Sequence, residues 1–163
     1  MPRNRIIPLT QGQVAIVDAT DLEWLSESSW CAARKQLVQT FYAVRRPDPR
    51  RMHHAIWIHH NGPIPDGLTV DHADRDTLNN CLSNLRLATF SQQSQNRRVP
   101  KNNISGYRGV SWRKESGKWR ATLGRVDGKI ISLGTFSDPV EAARAYDAAA
   151  KIHHDPEFVQ LNF

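Results

Sequence analysis

Residues 61–98 read NGPIPDGLTVDHADRDTLNNCLSNLRLATFSQQSQNRR, and the fold turns on what surrounds the Asp71-His72 pair near their middle. Residues 68–70 form a short apolar run that predicts a strand with Asp71-His72 at its end, and residues 85–89 predict the returning strand. The polar run behind them predicts a helix over 90–98, on which Gln93, Asn96 and Arg97 fall at i, i+3 and i+4 and share one face. Strand, loop, strand and helix would then converge a carboxylate, an imidazole, an amide and a guanidinium. Hydrolysis of a phosphodiester needs such a set, because a divalent cation stabilises charge at the phosphate and a neutral imidazole takes a proton from the attacking water. Hard oxygen donors select magnesium or manganese over zinc. An Asp-His dipeptide by itself reads more readily as a surface turn with a hydrogen-bonded histidine, so the chemistry rests on the whole pattern.

Towards the N-terminus, residues 5–9 and 13–17 flank Thr10-Gln11-Gly12 and predict a hairpin. Residues 18–29 predict a short helix after an acidic cap, and residues 30–34 and 40–45 predict strands. The stretch 51–60, RMHHAIWIHH, fits strand or helix, since a short apolar run does not fix the period. Cys31 and Cys81 stand alone, without a CxxC pair, and read as small buried apolar residues. His59, His60, His153 and His154 have no partner at a metal-ligand spacing and read as surface or capping residues. The opening Met1-Pro2-Arg3-Asn4-Arg5 is followed by no apolar h-region, and no apolar run approaches the roughly 20 residues of a membrane span. These features predict an intracellular protein with no membrane partner.

The 163 residues carry a formal charge of +6, spread unevenly. Residues 1–100 hold 12 basic and 9 acidic side chains, residues 101–137 hold 8 and 2, and residues 138–163 hold 2 and 5. The excess is a basic segment interleaved with aromatics, which suits a polyanion because each phosphate contact releases counterions. In that segment residues 107–113, 118–125 and 129–133 predict a three-stranded antiparallel meander, with turns at Glu115-Ser116-Gly117 and Asp127-Gly128. Asp138-Pro139, with Glu141 behind, opens an Ala-rich helix over 140–151. Trp119, Ala121 and Leu123 alternate with Arg120, Thr122 and Gly124, so the helix is expected on the apolar face of the sheet and a polar, basic face is left open.

Residues 105–163 resemble the ethylene-response-factor, or apetala-two type, DNA-binding domain, through Tyr107-Arg108-Gly109-Val110, Gly117-Lys118-Trp119, Leu133-Gly134-Thr135-Phe136, the helix from Glu141 to Ala150 and Leu161-Asn162-Phe163. That resemblance implies a sheet laid in the major groove of double-stranded DNA, with Arg108, Trp112, Arg113, Arg120, Thr122, Ile130 and Ser132 at DNA-facing positions. Ser111, Thr122 and Ser132 replace larger side chains of the plant domains, so the plant target sequence does not carry over. Trp119 is read as core under the helix.

Residues 52–98 resemble the HNH endonucleases, specifically the homing-type members often found in phage genomes, whose fold places a ββα metal motif around the scissile phosphate. By that resemblance Asp71 binds the metal and His72 is the general base. Asn84 is the middle Asn of the motif and fixes the loop, Gln93 or Asn96 completes the metal site, and Arg97 and Arg98 brace phosphates. His53 matches the His of the family's Met-His-Arg run, with His54 in place of its Arg, and packs beneath the motif or orients substrate. The expectation is an α+β chain: an HNH nuclease domain over residues 1–98, with the ββα-metal motif about 68–98, a linker over 99–105, and over 106–163 a three-stranded antiparallel sheet packed on one helix. The expected activity is magnesium- or manganese-dependent cleavage of one or both strands of duplex DNA, with no small-molecule cofactor, in the cytoplasm of a bacterial host. The rival expectations are a DNA-binding or regulatory protein with a decayed nuclease half, supported by Gln93, and an RNA-binding sheet, which would need unpaired bases.

Overall fold

A computed structural model describes residues 4–34, 40–100, 102–126 and 129–163. The expected turn at Asp127-Gly128, and Lys101 in the basic segment, lie outside the described residues. Contacts divide the chain into two compact units, Met1–Phe90 and Ser91–Phe163.

Among the described residues, the first unit is assembled from three separate two-stranded antiparallel hairpins and short helices. Strand β1 (Arg5–Pro8) pairs with β2 (Val14–Val17), turning through Gln11 and Gly12, both at positive φ. A 3-10 turn (Ala19–Asp21) and α1 (Leu22–Ser26) follow. The expected acidic cap has another use: the Asp18 carboxylate accepts from the Leu82 N–H at 2.7 Å and makes no cap bond. Strands β3 (Trp30–Arg34) and β4 (Phe41–Arg45) form the second hairpin.

The ambiguous stretch is a helix, α2 (Met52–Asn61). Met52 and Ile56, four apart, are both fully buried, whereas Ile58, which a strand would place on the same side, is 39% exposed. Gly62, at φ 82°, ends the helix, its N–H bonded to the Ile58 carbonyl at 3.0 Å. Strand β5 (Thr69–His72) pairs with β6 (Leu85–Ala88), and Asp71 and His72 are the last two residues of β5, opposite Arg86 and Leu85. One apolar core built from Ile7, Val17, Leu25, Met52, Ile56 and Val70, among others, joins the three hairpins.

Helix α3 (Phe90–Gln95) leads into the second unit and is shorter than the expected 90–98. Strands β7 (Val110–Arg113), β8 (Lys118–Val126) and β9 (Lys129–Phe136) form the antiparallel meander in that order. Helix α4 (Pro139–His153) starts as the sequence indicates: the Asp138 side chain accepts from the Val140 N–H at 2.9 Å and Pro139 occupies the first turn. Ala142, Ala143 and Ala150 are small enough to let α4 approach Val110, Ala121 and Leu123 on the sheet, and Trp119 packs against that core as expected. The chain then returns: the buried Asp147 carboxylate accepts from the main-chain N–H groups of Asn162 and Phe163, and the Asn162 amide bonds the main chain of Arg108 in both directions. No described helix is long and apolar enough to cross a membrane.

Candidate active site and nucleic-acid face

In the first unit β5 presents Asp71 and His72 side by side, 8% and 4% exposed. Register puts Arg86 of β6 opposite Asp71, and its guanidinium donates to the Asp71 carboxylate at 3.4 Å. Asn80, fully buried, donates from its amide nitrogen to the Leu78 carbonyl at 2.9 Å, which leaves its oxygen turned to His72 Nε2 at 3.5 Å. An amide oxygen only accepts, so Nε2 carries the ring hydrogen and Nδ1 holds the lone pair. Burial lowers the His72 pKa, outweighing the Asn80 bond and the nearby Asp71, Asp74 and Asp76 carboxylates that raise it. A neutral imidazole with an assigned basic nitrogen can accept a proton.

The loop between the strands is a network of side-chain-to-main-chain bonds. Asn84 accepts from the Asp74 N–H at 3.0 Å and donates to the Asp74 carboxylate and the Asn79 carbonyl at 2.9 and 2.8 Å. Burial pushes the Asp74 carboxyl up, but hydrogen bonds from the Asp76 N–H, Asn79 and Asn84 hold it lower than usual. The loop that ends at Asn80 and Asn84 is thereby tied to the hairpin bearing His72.

Beneath His72 lies His53 of α2, 2% exposed, with the two rings edge to face at 4.6 Å. Tyr42 and His54 lie against His53 at 5.8 and 4.5 Å, and Arg51 sits 5.0 Å from the Tyr42 ring centre. Burial drives the His53 pKa well below its ordinary value, and the charges of His72, His54 and Arg51 push it the same way. Both rings are therefore neutral in the fold. The unfolded chain takes up these protons below about pH 6.5 and the fold does not, so their contribution is complete above that value and is lost as pH falls towards the folded pKa values. The thermal midpoint is expected to drop between about pH 8 and about pH 5, and to drop less in His53→Gln. Equal slopes in the two proteins would contradict a neutral buried His53.

The remaining expected metal-site residues belong to the second unit. Gln93 is half-buried, Asn96 is 3% exposed, and Arg97 and Arg98 are exposed. Two neighbours on α3 fix it within that unit: Gln92 donates to the Asp155 carboxylate at 2.8 Å, and the Gln95 side chain accepts from the Asp155 N–H at 3.3 Å. Arg108 reaches the same helix end, donating to the main-chain carbonyls of Gln95 and Arg97.

On the sheet, Ser111 pairs with Arg120 and Arg120 with Thr135, while Thr122 pairs with Ser132. These residues, with exposed Arg113, make up the face away from α4. Ile130 is 63% exposed near the sheet's end. Trp112 stands apart from that row: it pairs with Trp119 on the helix-side face, rings 4.9 Å apart, and remains 39% exposed.

Asn80, Arg86 and Asp74 carry no motif of their own in the sequence. The register of 69–72 against 85–88 sets Arg86 opposite Asp71 and is its one sequence signal. Asn80 needed the loop's path.

A catalytic-type hairpin in one unit and a helix-backed basic sheet in the other define a nuclease-type protein with a DNA-binding module. The family described as HNH endonuclease matches residues 50–95, and that described as AP2 domain matches residues 105–152. Protein 3.8 of Escherichia phage T7 is 44% identical over 90 residues, which cover 55% of this chain and 69% of that protein. The AP2-like ethylene-responsive transcription factors CRL5 of Oryza sativa subsp. japonica and AIL5 of Arabidopsis thaliana are each 55% identical over 47 residues, 28% of this chain. The chain spans only 7% and 8% of those two plant proteins. The chain belongs to the HNH endonuclease family and carries an AP2 domain behind the nuclease motif.

Proposed function

We propose that this protein is a divalent-metal-dependent endonuclease that hydrolyses phosphodiester bonds in duplex DNA, with the AP2 sheet holding the substrate. The observation that carries the reading is His72: a buried, neutral imidazole whose hydrogen-bonded Nε2 leaves Nδ1 as the base, beside a buried carboxylate on the same hairpin. His72 Nδ1 takes a proton from water, the water oxygen bonds to phosphorus, and the ester bond to the departing oxygen breaks. Asp71, a hard oxygen donor, fits magnesium or manganese. Such a cation, when bound, supplies charge stabilisation at the phosphate and the departing oxygen. Asn84 ties the loop to the hairpin, and Arg97 and Arg98 brace phosphates on either side of the cut. Arg113, Arg120, Thr122 and Ser132 face the DNA, whereas Trp112 lies on the helix-side face and the Arg108 guanidinium holds the end of α3. A bacterial cytoplasm is the setting that the phage relationship favours.

The test is to incubate supercoiled plasmid and strand-labelled duplex with the protein and magnesium, and to map the products strand by strand. Cleavage that EDTA abolishes and magnesium or manganese restores is expected. Tight duplex binding without cleavage under any metal would overturn the reading in favour of a DNA-binding protein, the alternative that Gln93 supports.

A further inference from the structure

The end of α2 remote from His53 carries a cluster that the reaction does not use. Asp21, 1% exposed, accepts from the His60 Nε2 at 2.7 Å and from the Trp24 indole N–H at 3.0 Å, both on Oδ1. Its Oδ2 is buried with no hydrogen-bond partner among the described residues. No lysine or arginine pairs with this carboxylate among the described residues. His60 meets this carboxylate through Oδ1 alone, so the buried Oδ2 is left as an open donor site for a cation. His59 lies flat on Trp24, ring centres 4.5 Å apart, so the indole that bonds Asp21 also sets the second imidazole. Ligand atoms of Asp21, His59 and His60 all lie within 4.8 Å of one another.

We propose that Asp21, His59 and His60 form a binding site for a borderline divalent transition metal of the zinc class, separate from the catalytic cation. Two imidazole nitrogens and one carboxylate oxygen suit zinc far better than magnesium, and three protein ligands leave a fourth position for water. Both histidines occupy the last turn of α2, where the helix dipole favours a cation. The local field is negative as well: burial raises the nearby Cys81 thiol, and the Asp18 and Asp21 charges help to push it up to about 11. Zinc bonds of about 2.0–2.1 Å set tetrahedral donors about 3.3 Å apart. Entry of the ion would therefore open the 2.7 Å contact slightly, draw His59 inwards and, with Nε2 bound to the ion, leave the His60 ring hydrogen on Nδ1. His59 lies six residues beyond His53, about 9 Å along the helix axis, so the two sites are distinct. The bound ion would staple the 3-10 turn and α1 to the end of α2.

The experiment uses the full, tag-free, EDTA-stripped chain titrated with zinc by calorimetry and with cobalt(II) by visible absorption. The parent and Asp71→Asn are each expected to bind zinc at this site, to show the cobalt bands of a nitrogen- and oxygen-ligated tetrahedral ion, and to melt higher with zinc. His59→Ala with His60→Ala is expected to weaken zinc binding by about 100-fold or more and to lose the thermal shift. His59→Ala alone removes an exposed side chain, so its weaker binding separates ligand loss from misfolding. No zinc binding by the parent, parent-like affinity in the double variant, or loss of binding in Asp71→Asn would each overturn the assignment.

Discussion

His72→Ala is expected to slow cleavage of duplex DNA by about 100- to 10,000-fold, the range associated with a positioned general base, while duplex binding stays near that of the parent. The separation follows from where the residue sits. His72 is 4% exposed within β5, whereas the basic face belongs to the second unit. The substitution leaves a cavity, so a second variant guards the conclusion. Asn80→Ala removes the acceptor that holds the hydrogen on Nε2 and leaves the imidazole in place. It should reduce cleavage less than His72→Ala and should move the nitrogen chemical shifts of the His72 ring towards a mixture of tautomers. Equal cleavage by the parent and His72→Ala would end the assignment of the base.

The second large effect lies in the DNA-binding unit and concerns stability. Gly109 sits at φ +73°, where a side chain is strained, and a Cβ there would run into the Tyr146 ring and come within 2.8 Å of the Thr122 carbonyl oxygen. Tyr146 is 5% exposed in the α4 core, and Thr122 bonds the Gly109 carbonyl through its own N–H at 2.9 Å, so neither neighbour can move cheaply. Backbone strain and overpacking together predict a loss of about 3 kcal/mol or more in Gly109→Ala. For a unit of this size that lowers the melting temperature by about 10–20 °C, and DNA binding should weaken at temperatures where the parent still binds. Gly124→Ala on β8 is the control, since nothing lies within 4 Å of its would-be Cβ. Comparable losses in both variants would show that crowding at Gly109 is not the cause.

What the sequence reveals and what it hides separate along physical lines. The cap and first turn of α4, the β7–β9 meander and the Trp119, Ala121, Leu123 alternation are written in neighbouring residues, and they read correctly because those signals are local. Asp71-His72 is legible because both stand on one strand. The pattern of stretch 51–60 is too short to choose between strand and helix, and only the burial of Met52 and Ile56 against the three hairpins settles it as a helix. Asp21 and His60 lie 39 residues apart, and His72 meets Asn80 only through the turns of a loop, so no spacing rule finds either pair.

The anchoring of α3 bears on how far such a protein can be recombined. Asp155 and Arg108 hold the helix that carries Gln93 from positions well inside the DNA-binding unit. Exchanging that unit for a different targeting module, with a seam drawn at the end of the nuclease motif, would bring in the new specificity and discard both anchors. A transplant that keeps the helix in place has to carry an acceptor for Gln92 and a donor for the Gln95 and Arg97 carbonyls, so the seam belongs ahead of α3 and not at the end of the nuclease motif.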